Sequence, residues 1–337
     1  MTEKPPSFLE VYPSIYRLSL PFVSRGKGPG PVNVYLFTED PVTLIDTGTT
    51  GMVPMLRHAL AEVGVAVEDI RQLIITHGHL DHYGGANLLI KNLSVLPIVA
   101  AHRDATHLIE GREGIHDRTK FPFLKLMGYP LKYQLAMHVL DQQAQLTFHN
   151  CYVSRVLNDG DTIQCGSYNA DILWTPGHSK GSICIYIKDH DILFSGDTIL
   201  AHMTPNAIVM LESGRALPVR KSQAEFYASV ERLEALNPGT IFPGHGETIT
   251  NIKPVTSQYR KRYDIREEKL LASLKSGKRK VYDIAVDVFN LNKRKRKGQA
   301  FEVFLAISEV YTHLQVLEEQ GIVKMVKRWG RIRVVVL

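Results

Sequence analysis

The sequence predicts an α/β protein in which a layered domain at residues 1–250 precedes a smaller basic domain at residues 251–337. In the first part, short runs rich in β-branched residues alternate with segments of helical spacing, as in layered α/β domains. After Thr250 the chain becomes charged and helical. Residues 252–337 contain 20 Lys and Arg against 9 Asp and Glu, a net charge of +11, whereas residues 1–251 contain 20 against 25, or −5.

The elements of the first domain follow from hydrophobic periodicity and turn residues. VNVYLFTED and VTLIDTG predict a hairpin with its turn at residues 39–41, and GMVPMLRHALAEVG predicts a helix that ends at Gly64. Further helices are expected over GGANLLIKN and residues 222–236. The remaining predicted strands are LIIT, LPIVAAHRD, VSRVLNDG, ADILWTPG, SICIYIKD, DILFSGD and TIFPGHG.

Residues 112–150 interrupt this alternation. The segment is rich in Phe, Leu, Met, Tyr and Lys, and it predicts one or two helices with Gly128 and Pro130 between them. Such an apolar, basic insertion suits a lid over an acyl chain with an anionic head, or over a hydrophobic ester or lactone. The alternative is a packing element or a surface that forms a homodimer.

The basic domain predicts three helices and a terminal hairpin. SQYRKRYDIREEKLLASLKSG, VYDIAVDVF and AFEVFLAISEVYTHLQVLEEQG have helical character, and IVKMVKRWGRIRVVVL reads as two strands around a Trp-Gly turn. This order is the outline of a winged helix. The run KRKRKG at residues 293–298 is either a nucleic-acid contact or a solvated connector.

Composition points to a soluble cytoplasmic protein. The first residues lack the pattern of a secretory signal, and no run reaches the length of a membrane span. The three cysteines, Cys151, Cys165 and Cys184, have no paired close spacing, so we expect buried free thiols rather than a disulfide framework or a cysteine zinc site.

The stretch IITHGHLDHYGG at residues 74–85 carries the strongest chemical signal. His77, His79, Asp81 and His82 follow directly on an apolar strand, so these side chains can converge at its end. Imidazole nitrogen and carboxylate oxygen suit zinc-class cations. The alternative for this cluster alone is a polar turn.

Three later segments place a further histidine or aspartate at the end of an apolar strand. They are TPGHSKGS with His178, LFSGDT with Asp197 and FPGHG with His245. Glycine beside each ligand candidate allows close backbone approach and unusual dihedral angles. Four loops together therefore supply seven candidate metal ligands.

The motifs THGHLDH, TPGHSKGS, SGDT and PGHG, in this order and with LIDTG around Asp46, resemble those of the metallo-β-lactamase superfamily over roughly residues 12–250. The resemblance implies a four-layer αββα sandwich with two divalent metal ions. One ion would be held by His77, His79 and His178, and the other by Asp81, His82 and His245. Asp197 would bridge both ions, and Asp46 would support the site from behind the ligands.

The implied chemistry is hydrolysis by a metal-bridging hydroxide, with Asp81 or Asp197 orienting it or carrying a proton. The carboxylates resemble the glyoxalase II branch rather than exported lactamases. We therefore expect a small-molecule ester, thioester or lactone as substrate. Zinc is the first expectation for the metal, and iron or manganese suit the same ligands. His202, five residues after Asp197, is a candidate substrate contact.

Two other functions remain open on the sequence alone. The basic domain is similar in layout to that of a lactamase-like endoribonuclease, which predicts a nuclease or phosphodiesterase acting on single-stranded nucleic acid. A mononuclear iron oxygenase of the persulfide type has similar motifs and is the further alternative.

Overall fold

The computed structural model describes residues 7–22, 28–111, 120–147, 149–209, 211, 215–291 and 299–337, without the side chains of residues 120, 140–147 and 299. The chain divides into two compact units. The first consists of Met1–Arg112, Thr147–Pro205 and Ser229–Thr256. The second consists of Glu113–Leu146, Asn206–Ala228 and Ser257–Leu337. The second unit thus contains most of the predicted insertion in addition to the basic C-terminal residues.

Two β-sheets build the first unit. The larger sheet has seven strands in chain order: β1 (Ser7–Tyr12), β2 (Ile15–Leu20), β3 (Val32–Phe37), β4 (Thr43–Ile45), β5 (Gln72–Ile75), β6 (Ile98–His102) and β7 (Arg155–Leu157). The smaller sheet has the order β12-β11-β10-β9-β8, formed by β8 (Thr162–Cys165), β9 (Tyr168–Trp174), β10 (Ile183–Ile187), β11 (Ile192–Gly196) and β12 (Thr240–Pro243). β3 and β4 form the expected antiparallel hairpin, whereas β4, β5, β6 and β7 run parallel.

The two sheets pack face to face through one apolar cluster. Phe37 and Ile74 from the larger sheet share it with Ile172, Ile185 and Phe194 from the smaller sheet. β4 and β5 are buried along their whole length, which explains why LIIT reads as a continuous apolar run rather than an alternating one.

The opposite face of the larger sheet is covered by helices α1 (Val53–Glu62), α2 (Leu80–Tyr83) and α3 (Ala86–Ile90). α1 begins next to Pro54, which suits a first helical turn because its missing N–H has no partner there. Leu56 and Leu60, four residues apart on one face of α1, are fully buried in this cluster. α4 (Arg103–Ile109) follows β6. These layers confirm the predicted mixed α/β sandwich.

The second unit is mostly helical. It contains α5 (Lys120–Met127), α6 (Leu131–Thr147), the first half of α7 (Ser222–Leu236), most of α8 (Ile252–Lys275), α9 (Val281–Phe289) and α10 (Gln299–Glu319). The chain ends in an antiparallel hairpin of β13 (Val323–Arg328) and β14 (Arg331–Val336). The predicted order of three helices and a hairpin is present. The winged-helix identity of this unit stays a prediction.

The insertion helices take part in the core of the second unit. Phe123, Leu124 and Met127 on α5 lie in one apolar cluster with Ile284 on α9 and Ile307 on α10. Gly128, with a φ of +83°, separates α5 from α6 as the sequence indicates. For α5 the structure therefore shows a packing role, and the lid stays a prediction. Residues 112–119 and the basic run at 293–298 lie outside the described residues.

The three cysteines are free and buried, which confirms the prediction. None of the described helices combines the length and the apolar character that a membrane crossing requires.

Candidate metal centre

All seven predicted ligands lie in the first unit, at the carboxyl ends of its strands. Residues 77–82 follow β5, and the other three predicted ligands, His178, Asp197 and His245, follow β9, β11 and β12. Because these strand ends meet at one rim of the sandwich, residues more than 160 positions apart in sequence converge on one centre.

Three histidines form the first part of the centre. His77 Nε2 and His178 Nε2 each lie 3.0 Å from His79 Nδ1. Bonds of about 2.0–2.1 Å from a tetrahedral zinc ion would separate two ligand nitrogens by about 3.3 Å, close to this spacing. The three nitrogens thus have the arrangement that a single cation requires, and they form a possible metal-binding group.

Asp81, His82 and His245 form a second possible metal-binding group. His245 Nε2 lies 3.6 Å from Asp81 Oδ2, and His82 Nε2 lies 4.0 Å from Asp81 Oδ1. His82 and His245 are fully buried, whereas the Asp81 side chain is 21% exposed. Asp81 is therefore the member of this group that solvent or a substrate can reach.

Asp197 lies between the two groups. Its Oδ1 is 3.5 Å from His82 Nε2, and its Oδ2 is 3.6 Å from both His178 Nε2 and His245 Nε2. With His77 and His82 it also forms a third possible metal-binding set. One carboxylate thus faces histidines of both groups, which is the position that a shared ligand occupies.

Three buried ligand atoms of the centre show how well it fits a cation. His82 Nε2, His245 Nε2 and Asp197 Oδ1 are buried and have no hydrogen-bond partner among the described residues. Burying such atoms without a partner is costly, so native proteins almost always satisfy them. A cation held between them would satisfy all three atoms. The residues therefore fit the divalent metal ions that the fold implies.

Electrostatics divides the histidines of the centre into two kinds. Burial lowers the pKa of His77 well below 6.5 and that of His79 to about 3. Burial alone would also lower the pKa of His82 and His245, but the carboxylate of Asp197 and the other acidic neighbours outweigh it and raise both. The first pair is therefore neutral at neutral pH, whereas the second pair gives up its protons at a higher pH than an ordinary histidine does.

The two carboxylates of the centre are ionised. Burial alone would raise the pKa of Asp81 and Asp197, but the neighbouring histidines lower both values below the ordinary range. The principal opposing charge is on His82 for Asp81 and on His245 for Asp197. Both side chains are therefore acceptors for a cation or a proton at neutral pH.

Asp46 orients two of the histidines from behind. This buried carboxylate accepts hydrogen bonds from Thr76 N (2.8 Å), Thr76 Oγ1 (2.8 Å) and His82 Nδ1 (2.7 Å). Thr76 Oγ1 also lies 3.0 Å from His77 Nδ1. Because the Nδ1 atoms of His77 and His82 are engaged in this way, their Nε2 atoms are left to face the centre.

Sequence reasoning missed Thr76 and the backbone carbonyl of Pro31, which lies 2.9 Å from His245 Nδ1. Thr76 directly precedes His77 at a strand end, and this adjacency was a usable signal. The contact between Pro31 and His245 joins residues 214 positions apart and has no local signature.

His202 lies beside the centre, in contact with Gly246, the residue that follows His245. Its Nε2 is 2.8 Å from the carbonyl oxygen of Pro29, and a Cβ atom on Gly246 would lie 2.6 Å from its Nδ1. The side chain is exposed. This position agrees with a substrate contact, which stays a prediction.

Comparisons with known proteins agree with this geometry. The family model described as the metallo-β-lactamase superfamily matches residues 28–245. A probable metallo-hydrolase of Bacillus subtilis, YqjP, is 29% identical over 301 residues, covering 86% of this chain and 89% of the relative. A metallo-β-lactamase family protein from Thermus thermophilus has the same fold, with a TM-score of 0.79 at 23% identity, covering 97% of this chain and all of that chain.

Two further relatives have named activities. The acyl-coenzyme A thioesterase MBLAC2 of Bos taurus is 32% identical over 126 residues, which cover 37% of this chain and 40% of the relative. A hydroxyacylglutathione hydrolase of Maricaulis maris is 28% identical over 211 residues, covering 62% of this chain and 61% of the relative. The hydroxyacylglutathione hydrolase supports the expected likeness to the glyoxalase II branch.

Proposed function

Because the chain belongs to the metallo-β-lactamase superfamily, we propose that it is a hydrolase that uses two divalent cations to cleave a thioester, carboxylic ester or lactone. The observation that carries the proposal is the position of Asp197. Its carboxylate lies 3.5–3.6 Å from histidines of both groups, His178 of one and His82 and His245 of the other. Two separate cation positions that share one carboxylate account for this arrangement.

The ligand sets follow from the two groups. His77, His79 and His178 would hold one ion, Asp81, His82 and His245 would hold the other, and Asp197 would be shared. The mixture of imidazole and carboxylate donors suits Zn²⁺, and it also suits iron and manganese.

Two such cations, when bound, lower the pKa of a shared water toward neutrality and polarise the carbonyl oxygen of a substrate. The residues around them supply the remaining chemistry. Asp81 is ionised and partly exposed, so it can orient the attacking water and pass a proton to the leaving group. Asp46 and Thr76 hold His82 and His77 in the orientation that this chemistry needs.

Thioesters are the first substrate class to test. One relative is named an acyl-coenzyme A thioesterase, and another is named a hydroxyacylglutathione hydrolase. Both names describe cleavage of an acyl group by water. The specificity of this chain rests on residues outside the ligand set, since one fold serves many substrates.

Elemental analysis of the purified protein, together with an Asp197→Ala variant and an acyl-CoA, acyl-glutathione, aryl ester and lactone panel, tests the proposal. We expect two metal equivalents in the wild type, a fall to one or fewer in the variant, and turnover of at least one thioester. A single iron with oxygen consumption would instead support the oxygenase alternative. Two equivalents without turnover of any panel member would contradict the proposed substrate class.

A second candidate function, action on single-stranded nucleic acid, is favoured by the β13–β14 hairpin. Five cations and no acidic residue lie on residues 322–337, and no ion pair of these cations is found within the described part of the chain. Arg328 lies directly opposite Arg331, an unfavourable pair that a bound anion would relieve. Trp329 at the turn is 78% exposed and could stack on a base.

Binding of a fluorescent oligonucleotide at several salt concentrations tests this second function. Four neutralised phosphates would give a slope of about −2.8 in a plot of log K against log salt. Arg331→Gln should flatten the slope, with Lys188→Gln, an exposed position in the first unit, as the matched control. Absence of binding at low salt would remove this candidate.

A further inference from the structure

We propose that Asn33 is a positioning residue for His245, and that only one of the two metal-binding groups depends on it. The inference rests on the proposed function in one respect, the role of His245 as a ligand. Its test measures metal binding rather than catalysis, so it can fail or succeed whatever substrate the protein cleaves.

Three hydrogen bonds join Asn33 to the loop that carries His245. Its side-chain Nδ2 donates to the carbonyl oxygens of Pro243 (3.0 Å) and Gly246 (2.8 Å). Its backbone N–H donates to the carbonyl oxygen of Gly244 (2.8 Å). Asn33 therefore contacts the residues on both sides of His245, although 210 positions separate it from Pro243 in sequence.

The amide of Asn33 is held in the orientation that these contacts need. Ser19 Oγ donates a hydrogen bond of 2.8 Å to Asn33 Oδ1. This contact points the oxygen at Ser19, so both hydrogens of the amide face the loop. Asn33 is only 3% exposed, so water does not readily replace the bonds that it makes.

Residues at the start of β3 also fix the orientation of the His245 side chain. Val32 forms an isolated bridge with His245, and the Pro31 carbonyl accepts from His245 Nδ1 at 2.9 Å. A carbonyl can only accept, so Nδ1 carries the proton and Nε2 is left to bind a cation. Tyr35 supplies an additional 2.8 Å bond to the Pro243 carbonyl.

The three-histidine group is positioned by different contacts. His77 rests against Thr76, which is bonded to Asp46. The loop of His178 is held by a hydrogen bond from Trp174 Nε1 to the Lys180 carbonyl. None of the hydrogen bonds of Asn33 described above reaches these segments. Loss of its amide should therefore weaken the group of His245 and leave the three-histidine group intact.

Titration of the metal-free full-length protein with Co²⁺, followed by its visible absorption, tests the inference. Asn33→Leu keeps the approximate size of the side chain and removes both donors, and Asn33→Ser is a milder variant. Asn169→Leu, at an exposed position on β9, is the matched control. We expect the first equivalent to bind within about twofold of wild type and the second to weaken about 10- to 100-fold in Asn33→Leu.

A smaller selective weakening is expected in Asn33→Ser, and no change in Asn169→Leu. Equal weakening of both equivalents, or wild-type binding of both by folded Asn33→Leu, would overturn the inference. If Asn33→Leu does not fold, Asn33→Ser is judged by the same criterion. A wild-type protein that binds only one equivalent would overturn both this inference and the binuclear proposal. Binding of two equivalents without hydrolysis would affect only the proposed hydrolase function.

Discussion

Replacement of Asp46 by Asn should disable His82 as a metal ligand. Asp46 has a φ of +63°, a conformation that Asn also adopts readily, so the backbone can remain in place. The carboxylate accepts three hydrogen bonds, two from Thr76 and one from His82 Nδ1. An amide has a single oxygen, so in either orientation its NH₂ group faces at least one buried donor.

The size of the effect follows from this conflict. A buried donor without an acceptor costs about 1–3 kcal/mol, or about 5- to 160-fold in an equilibrium constant. If the amide NH₂ faces His82, the imidazole must move its proton to Nε2, the atom that faces Asp197 at 3.5 Å. A protonated Nε2 cannot bind a cation, so we expect the affinity for one metal equivalent to fall about 10- to 100-fold.

Competition with a chromophoric chelator measures this affinity. Asp189→Asn is the matched control, because it makes the same chemical change at an exposed position outside the contacts of Asp46. This variant should bind metal like the wild type. Near-ultraviolet circular dichroism would establish that the Asp46→Asn protein is folded. A folded variant that binds both equivalents within twofold of wild type would refute the reasoning.

Three further outcomes are expected. Because the pKa values of His82 and His245 are raised, metal binding to their group should release protons and should weaken as the pH falls. Calorimetry in buffers of different ionisation enthalpy counts the released protons, and a count of zero would contradict the assignment. Gly244→Ala would place a Cβ atom 2.5 Å from Asp197 Oδ1, so metal content should fall from two per chain to one or fewer, whereas Gly51→Ala should retain it. A fully loaded Gly244→Ala protein would contradict the close packing. Burial raises the pKa of all three cysteine thiols, so the native protein should resist iodoacetamide at pH 8 and should react fully once unfolded. Mass spectrometry detects the modification, and a modified folded protein would show that a thiol is accessible. The raised values are about 11 for Cys151, 12 for Cys165 and 11 for Cys184.

The predicted ligands could be found from sequence because each follows an apolar strand. A strand ending in a glycine and a histidine or aspartate is a local pattern, and the structure places β5, β9, β11 and β12 before such residues. α7 likewise occupies residues 222–236 as predicted. Local periodicity was sufficient for these elements because burial imposes it directly.

Contacts over long sequence distances could not be predicted in this way. The role of Asn33 depends on a pairing across 210 positions, and nothing in VNVYLF distinguishes its amide from any other polar residue in a strand. β1 and β8 were also missed. β1 has an exposed surface over residues 7–10, so it lacks the alternation of buried and exposed residues that marks a half-buried strand.

The apolar insertion shows a different limit. Its apolar composition indicates that it packs against another surface. The sequence of the segment does not determine which residues form that surface, because they lie far away along the chain. In the structure Met127 and Tyr129 share a core with residues more than 150 positions later, such as Val281 and Val310.

This shared core has a consequence for how the protein can be divided. The second unit is assembled from three separate stretches of the chain, and its apolar cluster draws on Phe123, Leu124 and Val209 as well as on the C-terminal helices. A fragment that starts at residue 251 would lack part of its own interior, and a chain that stops at residue 250 would expose the apolar side of α5 to water. Gene truncation at the apparent composition boundary should therefore yield two aggregation-prone pieces, and the unit cannot be transplanted to another protein as one contiguous module.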